Sequence, residues 1–162
     1  MTLDADVLTA DAARTPLYFE DLEVGQVHRS GTLDVDAEAI KTFAAYFDPQ
    51  PFHVDEEAAK ATFFRGLAAS GWHTAGLTMR LLVTSGLPLA GGIIGAGMEI
   101  KWPRPTRPGD TLHVESEVLE LRASSSRPSQ GLAKIRNTTF NQNNEPVQIM
   151  EGTLVVARRK AT

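Results

Sequence analysis

Cysteine is absent from the 162-residue chain. The protein therefore has no disulfide, no thiol nucleophile and no thiolate metal site. Long apolar runs are also missing, because Gly, Thr, Ser or Arg interrupts each run well before the roughly 20 residues that a membrane span needs. Residues 1–15 are polar and contain three Asp, so we expect a flexible tail rather than a secretory signal. We expect a cytoplasmic protein with a single domain over residues 16–162.

An excess of positive charge is missing as well. The chain has 16 Lys and Arg against 20 Asp and Glu, which gives a net charge of −4. Neither nucleic acid nor an anionic membrane is an expected partner of such a chain. The four His residues lie far apart in the sequence, and the glycine-rich segment 91–97 leads into a strand rather than a helix. The sequence therefore predicts neither a metal site nor a dinucleotide site.

Two helices are predicted from the spacing of apolar residues. Asp36 is a typical N-cap for the first, which has apolar residues at helical spacing from Ile40 to Phe47. Pro49 forces the residue before it out of the helical region and ends that helix. The second helix, over residues 72–87, is apolar nearly all round, a pattern typical of a buried helix.

Strand patterns dominate the second half of the chain. They cover residues 95–102, 111–121, 133–141 and 147–157. The turn signals between them predict three hairpins and an antiparallel meander. A sheet wrapped around one central helix, an α+β architecture, accommodates both halves.

An Asp and a His stand five residues apart in the segment Asp48-Pro49-Gln50-Pro51-Phe52-His53. The two prolines restrict the loop, which favours a fixed geometry between the two reactive groups. Phe47, Phe52 and Phe63 are candidates to surround the pair, and an apolar surround raises the pKa of a carboxyl and lowers that of an imidazole. The pair suits proton transfer near neutral pH. The alternative is a helix-ending Asp and a polar loop His.

The small residues Ala68, Ala69, Ser70 and Gly71 lead into the second helix, which continues with Trp72 and His73. Free backbone N–H groups at a helix N-terminus favour negative charge, including that on a thioester oxygen during reaction. Alternatively, Gly71 only allows close packing of the helix against the sheet. His73 is either a second proton-transfer group or a core histidine bonded to backbone.

A cluster of cations stands between two predicted strands. Lys101, Arg104 and Arg107 are interleaved with three prolines in this acidic chain. Arginine suits the phosphates of a nucleotide handle. A solvated hairpin end is the competing interpretation.

The segment FAAYFDPQPFHVDEEAA resembles the hydratase signature Asp-x-Asn-Pro-x-His of the MaoC-like dehydratase family, with Asp48, Pro51 and His53 at matching positions. GLAASGWHTAGL and RPTRPGDTLHVESEV resemble further blocks of that family, and the likeness spans residues 18–156. Gln50 departs from it, because Asn is usual at that position.

The resemblance implies a hot-dog fold, homodimers or larger assemblies, and reversible hydration of an enoyl-CoA, commonly to the (R)-3-hydroxyacyl product, with no further cofactor. Asp48 and His53 take the catalytic positions, and the Gly71 amide takes the oxyanion position. The residues expected to contact substrate are Gln50, Phe52, Ser70, Trp72, His73, Arg104 and Arg107. A thioesterase on the same fold and a non-catalytic acyl-CoA-binding subunit are the competing hypotheses.

Overall fold

The computed structural model describes residues 14–160, so most of the predicted tail, residues 1–13, lies outside the described part. The helices are α1 (Ala37–Phe47), α2 (Pro51–Val54), α3 (Glu56–Lys60) and α4 (Gly71–Thr84). The strands are β1 (Val27–Arg29), β2 (Leu33–Asp34), β3 (Ile94–Lys101), β4 (Thr111–Ala123), β5 (Gln130–Phe140) and β6 (Pro146–Ala157). None of the described helices is long and apolar enough to cross a membrane.

Helix α1 begins and ends where the sequence predicts. The Asp36 carboxylate accepts a hydrogen bond from the Ala39 backbone N–H at 3.1 Å, which satisfies one of the free donors of the first turn. The helix ends at Phe47, two residues before Pro49. The next segment was expected to be a loop, but Pro51–Val54 forms the single helical turn α2. Pro51 favours it, because its fixed φ suits the first position of a helix.

Helix α4 buries one side only. Its inward-facing residues are His73, Thr74, Thr78, Leu81 and Leu82. Trp72 on the opposite side is 62% exposed and Val83 is 49% exposed. The prediction of a helix buried on all sides is therefore wrong for the single chain, because the sheet covers only one side of the helix.

All strand pairs in the sheet are antiparallel, and the strand order is β1-β4-β5-β6-β3, with β2 also paired to β4. Burial alternates along β5, which indicates one buried face. On that face Leu81 and Leu82 of α4 join a core cluster with Val114 and Val147. The predicted α+β fold, an antiparallel sheet around a central helix as in hot-dog proteins, is confirmed.

One predicted connection is wrong. Hairpins join β4 to β5 and β5 to β6, but β3 pairs with β6 at the far edge rather than with its sequence neighbour β4. Residues 102–110 are therefore a crossover segment and not a hairpin end. This crossover brings Trp102 against Gly71 and the Thr106 carbonyl to the Ala69 N–H at 2.9 Å. The crossover thus lies beside the N-terminus of α4.

Candidate active site

Asp48 and His53 are brought together by the end of α1 and the turn α2. Asp48 adopts a non-helical conformation as the C-cap of α1, and His53 is the third residue of α2. Their facing atoms, Oδ2 of Asp48 and Nε2 of His53, are 3.4 Å apart. The His53 side chain is almost fully buried. The loop therefore fixes the pair in one arrangement.

The hydrogen-bond partner of His53 determines its tautomer. Nδ1 of His53 lies 2.6 Å from the carbonyl oxygen of Ala68. A carbonyl oxygen only accepts, so Nδ1 carries the proton and donates it. In the neutral imidazole, Nε2 is then an acceptor that faces Asp48. The rings of Phe52 and Phe64 pack around the imidazole, with centroids 4.5 and 6.0 Å from it.

Both oxygens of the Asp48 carboxylate accept hydrogen bonds. The Ser70 hydroxyl donates to Oδ2 and the Gln50 amide donates to Oδ1, each at 2.7 Å. Burial raises the pKa of the Asp48 carboxyl, but these donors and the charge of His53 outweigh burial and hold that pKa below its ordinary value. Ser70 and Gln50, predicted to contact substrate, thus bind the carboxylate itself.

The predicted increase in the Asp48 pKa is wrong, and the predicted aromatic surround holds for Phe52 but not for Phe47. Phe63 lines the cavity but is 93% exposed, while Phe47 packs on Phe43 at a centroid distance of 5.0 Å and does not line the cavity. Burial has the largest single effect on the pKa of Asp48, but the two hydrogen-bond donors and His53 together outweigh it.

Gly71 opens α4 directly beside the pair. An added Cβ would lie 2.7 Å from the indole of Trp102, so only glycine fits. The Trp102 indole N–H donates to Oε1 of the buried Gln148, whose amide donates to Thr78, and these bonds fix the ring. The first-turn N–H groups of a helix have no partner within the helix, and in the described part of the chain no acceptor is found for that of Gly71. Gly71 lines the cavity.

A cavity of about 510 Å³ joins these groups. Its walls are mainly aromatic and proline side chains, and its polar lining includes the acid–base pair and two buried threonines. The lining residues are Asp48, Gln50, Phe52, His53, Phe63, Phe64, Ala69, Gly71, Trp72, Thr74, Trp102, Pro103, Arg104, Pro105 and Thr106. An apolar cavity with a few convergent polar groups is typical of a small-molecule site. Within residues 14–160, no three acidic or His side chains cluster as metal ligands would.

His73 lies outside this cavity and lines a second one of about 220 Å³. Its ring stacks on Phe43 with centroids 4.7 Å apart, and burial lowers the pKa of its imidazole. Nδ1 has no hydrogen-bond partner among the described residues. His73 is therefore a core side chain, without the backbone bond that the sequence suggested and without contact to the candidate site.

The two arginines of the crossover have different environments. The Arg107 guanidinium donates to the carbonyl oxygens of Phe64, Gly66 and Leu67, at 2.5 to 3.1 Å. These bonds contradict the predicted phosphate role of Arg107. Arg104 lies at the cavity with its Nε 3.6 Å from the Glu145 carboxylate and its side chain half exposed. Lys101 pairs with Glu99 outside the cavity.

Sequence reasoning missed several residues of the site. Phe64, Thr74 and Thr106 line the cavity but were not singled out, and no role was predicted for the Ala68 carbonyl that binds His53. Ala68 acts through its backbone carbonyl, which has no side-chain signature. The threonines and Phe64 come together only through tertiary packing.

The chain is similar to known proteins in both sequence and structure. The family described as "MaoC like domain" matches residues 21–139. The crystal structure of the MaoC-like dehydratase from Rhodospirillum rubrum is similar, with 59% identity, a TM-score of 0.88, and 90% of this chain and 99% of that chain covered.

Two curated proteins are also similar. YdeM of Bacillus subtilis, itself uncharacterized, is 34% identical over 86% of this chain and 97% of its own length. The 3-hydroxybutyryl-CoA dehydratase of Methylorubrum extorquens is 36% identical over 65% of this chain and 66% of its own length.

The lowered pKa of Asp48 predicts a pH dependence of stability. Because folding depresses this pKa, the ionised carboxylate stabilises the native state above the unfolded value of about 3.9 and ceases to do so as pH falls through the folded value. We expect wild type to lose free energy of unfolding relative to Asp48→Asn as pH falls below about 5. Chemical denaturation of both proteins from neutral to acidic pH measures this. A difference that stays constant with pH would contradict it.

Proposed function

The chain belongs to the MaoC-like dehydratase family, and on that premise we propose that it reversibly adds water to the double bond of an enoyl-CoA thioester. The observation that carries the proposal is the arrangement of Asp48 and His53 in the apolar cavity. Oδ2 and Nε2 are 3.4 Å apart, and both are hydrogen-bond acceptors when His53 is neutral. A water molecule between them can donate one hydrogen bond to each.

The proposed chemistry needs one such water. Its oxygen bonds to C3 of the enoyl group while one proton passes to the pair, and a proton returns from the pair to C2. We assign the first proton to Nε2 of His53, because Nδ1 already donates to Ala68 whereas Oδ2 of Asp48 already accepts a hydrogen bond from Ser70. The positive charge on the imidazole then lies beside the Asp48 carboxylate, which limits the cost of charging a buried ring.

The proposed oxyanion donor is the Gly71 amide at the N-terminus of α4. Negative charge develops on the thioester oxygen as water adds, and a helix N-terminus stabilises such charge. The Ser70 hydroxyl connects the two parts of the site, because it accepts from the Trp72 N–H at 3.3 Å and donates to Asp48. These two bonds fix the position of the Asp48 carboxylate relative to the N-terminus of α4, where Gly71 lies.

We also assign the chain a self-association surface. The exposed side of α4 carries Trp72, Gly76 and Val83, which lie along one stripe of the helix. Strand β3 is a sheet edge, and it exposes Ile94 and Met98. An unpaired sheet edge and an apolar helix stripe both suit a second copy of this chain, so we propose at least a homodimer.

Removing either member of the pair is expected to stop hydration. Asp48→Asn and His53→Ala should each lower kcat at least about a hundredfold with the fold intact, because general acid–base catalysis contributes on that scale. Asp34→Asn and His28→Ala, outside the cavity, are the matched controls. The assay is a panel of enoyl- and 3-hydroxyacyl-CoA thioesters with product chirality recorded. Activity of either variant within about threefold of wild type contradicts the assignment.

The same assay separates the competing functions. A thioesterase would release free CoA thiol, whereas hydration leaves the thioester intact. A non-catalytic subunit would bind acyl-CoA without turnover of any member of the panel. Either result would replace the hydratase proposal.

Arg104 is expected to bind the phosphates of the CoA handle. Arg104→Ala should raise KM for acyl-CoA about tenfold with little change in kcat, because the contact is remote from the reacting carbons and a charged hydrogen bond is worth about 1.5–3 kcal/mol. A short acyl thioester without the nucleotide should respond little. Arg122→Ala on β4, away from the cavity, is the control. An unchanged KM in Arg104→Ala would leave Arg104 as a surface partner of Glu145.

Light scattering tests the proposed dimer. Wild type should give at least twice the 17.6 kDa mass of one chain at micromolar concentration. Val83→Lys should lower that mass, because it places a charge in the apolar stripe. Val24→Lys, at another exposed apolar residue, should not. A monomeric wild type would refute the dimer.

A further inference from the structure

Arg107 is engaged entirely with the backbone of one short segment. Its Nη1 donates to the carbonyls of Gly66 and Leu67 at 2.9 and 3.1 Å, and its Nη2 donates to that of Phe64 at 2.5 Å. Its own backbone N–H donates to the Asp110 carboxylate at 2.7 Å, which fixes the root of the side chain. Three carbonyl oxygens thus converge on one guanidinium.

The backbone conformation explains why the carbonyls converge. Arg65 has a φ of 55°, in the left-handed region that a side chain seldom adopts, and its N–H donates to the Thr62 carbonyl. The turn points the negative ends of several peptide dipoles toward the same place. A permanent cation offsets their mutual repulsion, and the fork of an arginine reaches several acceptors at once.

Residues 64–67, three of whose carbonyls accept the hydrogen bonds of Arg107, lead directly into Ala68, the hydrogen-bond partner of His53. Ala68 follows Leu67, its N–H donates to the Phe52 carbonyl at 3.1 Å, and its carbonyl accepts the Nδ1 proton of His53 at 2.6 Å. The ring of Phe64, whose carbonyl Arg107 also holds, packs on Phe52 with a centroid distance of 5.0 Å. Arg107 is therefore connected to the imidazole of His53 through the backbone of Ala68 and through the aromatic contacts of Phe64.

We propose that Arg107 is a positioning residue for the acid–base pair. It holds residues 64–67 so that the Ala68 carbonyl keeps the proton of His53 on Nδ1 and leaves Nε2 facing Asp48. Its effect on turnover rests on the proposed hydratase function, but its effect on the tautomer does not. Nothing in this role requires Arg107 to touch substrate.

The test compares Arg107→Met, which keeps a long stem without donors, with Arg107→Lys, which keeps the charge but not the fork. Arg136→Met is the matched control, because Arg136 also makes several charged bonds, to Glu151 and Glu117, on the sheet away from the cavity. Nitrogen-15 NMR of the imidazoles reads the tautomer of each protein, with the His53→Ala spectrum assigning the His53 signals. Thermal unfolding and steady-state kinetics accompany it.

Wild type should show a single His53 tautomer with a slowly exchanging Nδ1 proton. Arg107→Met should show mixed tautomers or fast exchange, and kcat should fall about tenfold or more with KM within about threefold. Arg107→Lys should lie between the two. Arg136→Met removes charged bonds elsewhere on the sheet and should keep the wild-type His53 signals and kcat.

Several outcomes would overturn the proposal. One is a wild-type tautomer in Arg107→Met. If Arg107→Met does not fold, the same result in Arg107→Lys overturns it. Another is a parallel loss of kcat and of the His53 signal in Arg136→Met, which would reduce Arg107 to general stabilisation. If wild type turns over no enoyl-CoA, the hydratase proposal fails, while the tautomer comparison still decides the role of Arg107.

Discussion

The hydrogen bond from Nδ1 of His53 to the Ala68 carbonyl decides which nitrogen of the imidazole carries the proton. Several neighbouring hydrogen bonds hold its two partners in place. The turn α2 carries the ring to the carbonyl, and the Ala68 N–H binds back to the carbonyl of Phe52 in that same turn. The crossover holds the other side of the segment through Arg107 and through the Thr106 carbonyl. The turn α2 and the crossover, which are far apart in the sequence, therefore act together to keep this proton on Nδ1 of His53.

The charge of the site is controlled mainly by neutral groups. Among the described residues, no Lys or Arg lies within ion-pair distance of Asp48, whose oxygens are held by a hydroxyl and an amide. His53 is then the one neighbour of Asp48 that can gain and lose a positive charge. An arginine at that position would hold Asp48 ionised at all times and would leave no group whose charge changes during proton transfer.

Features that depend on local sequence were predictable. Helix α1, its Asp36 cap, the core of α4 and the long strands follow from residue periodicity, and the Asp48–His53 pair follows from a short motif. The partner of β3 was not predictable, because pairing depends on which sheet edge is free once the other strands have assembled. Arg107 was misread for a related reason. Its partners are backbone carbonyls, which leave no mark in the sequence.

The contact between Gly71 and Trp102 links two positions that cannot vary independently. A side chain at position 71 needs a smaller ring at position 102, since an added Cβ would lie 2.7 Å from the indole. A smaller residue at position 102 would in turn leave the buried Gln148 oxygen without its donor, and that loss extends to Thr78 inside α4. A substitution at only one of these positions is therefore expected to destabilise the protein. Related chains should accordingly change positions 71, 102 and 148 together, as one inherited unit.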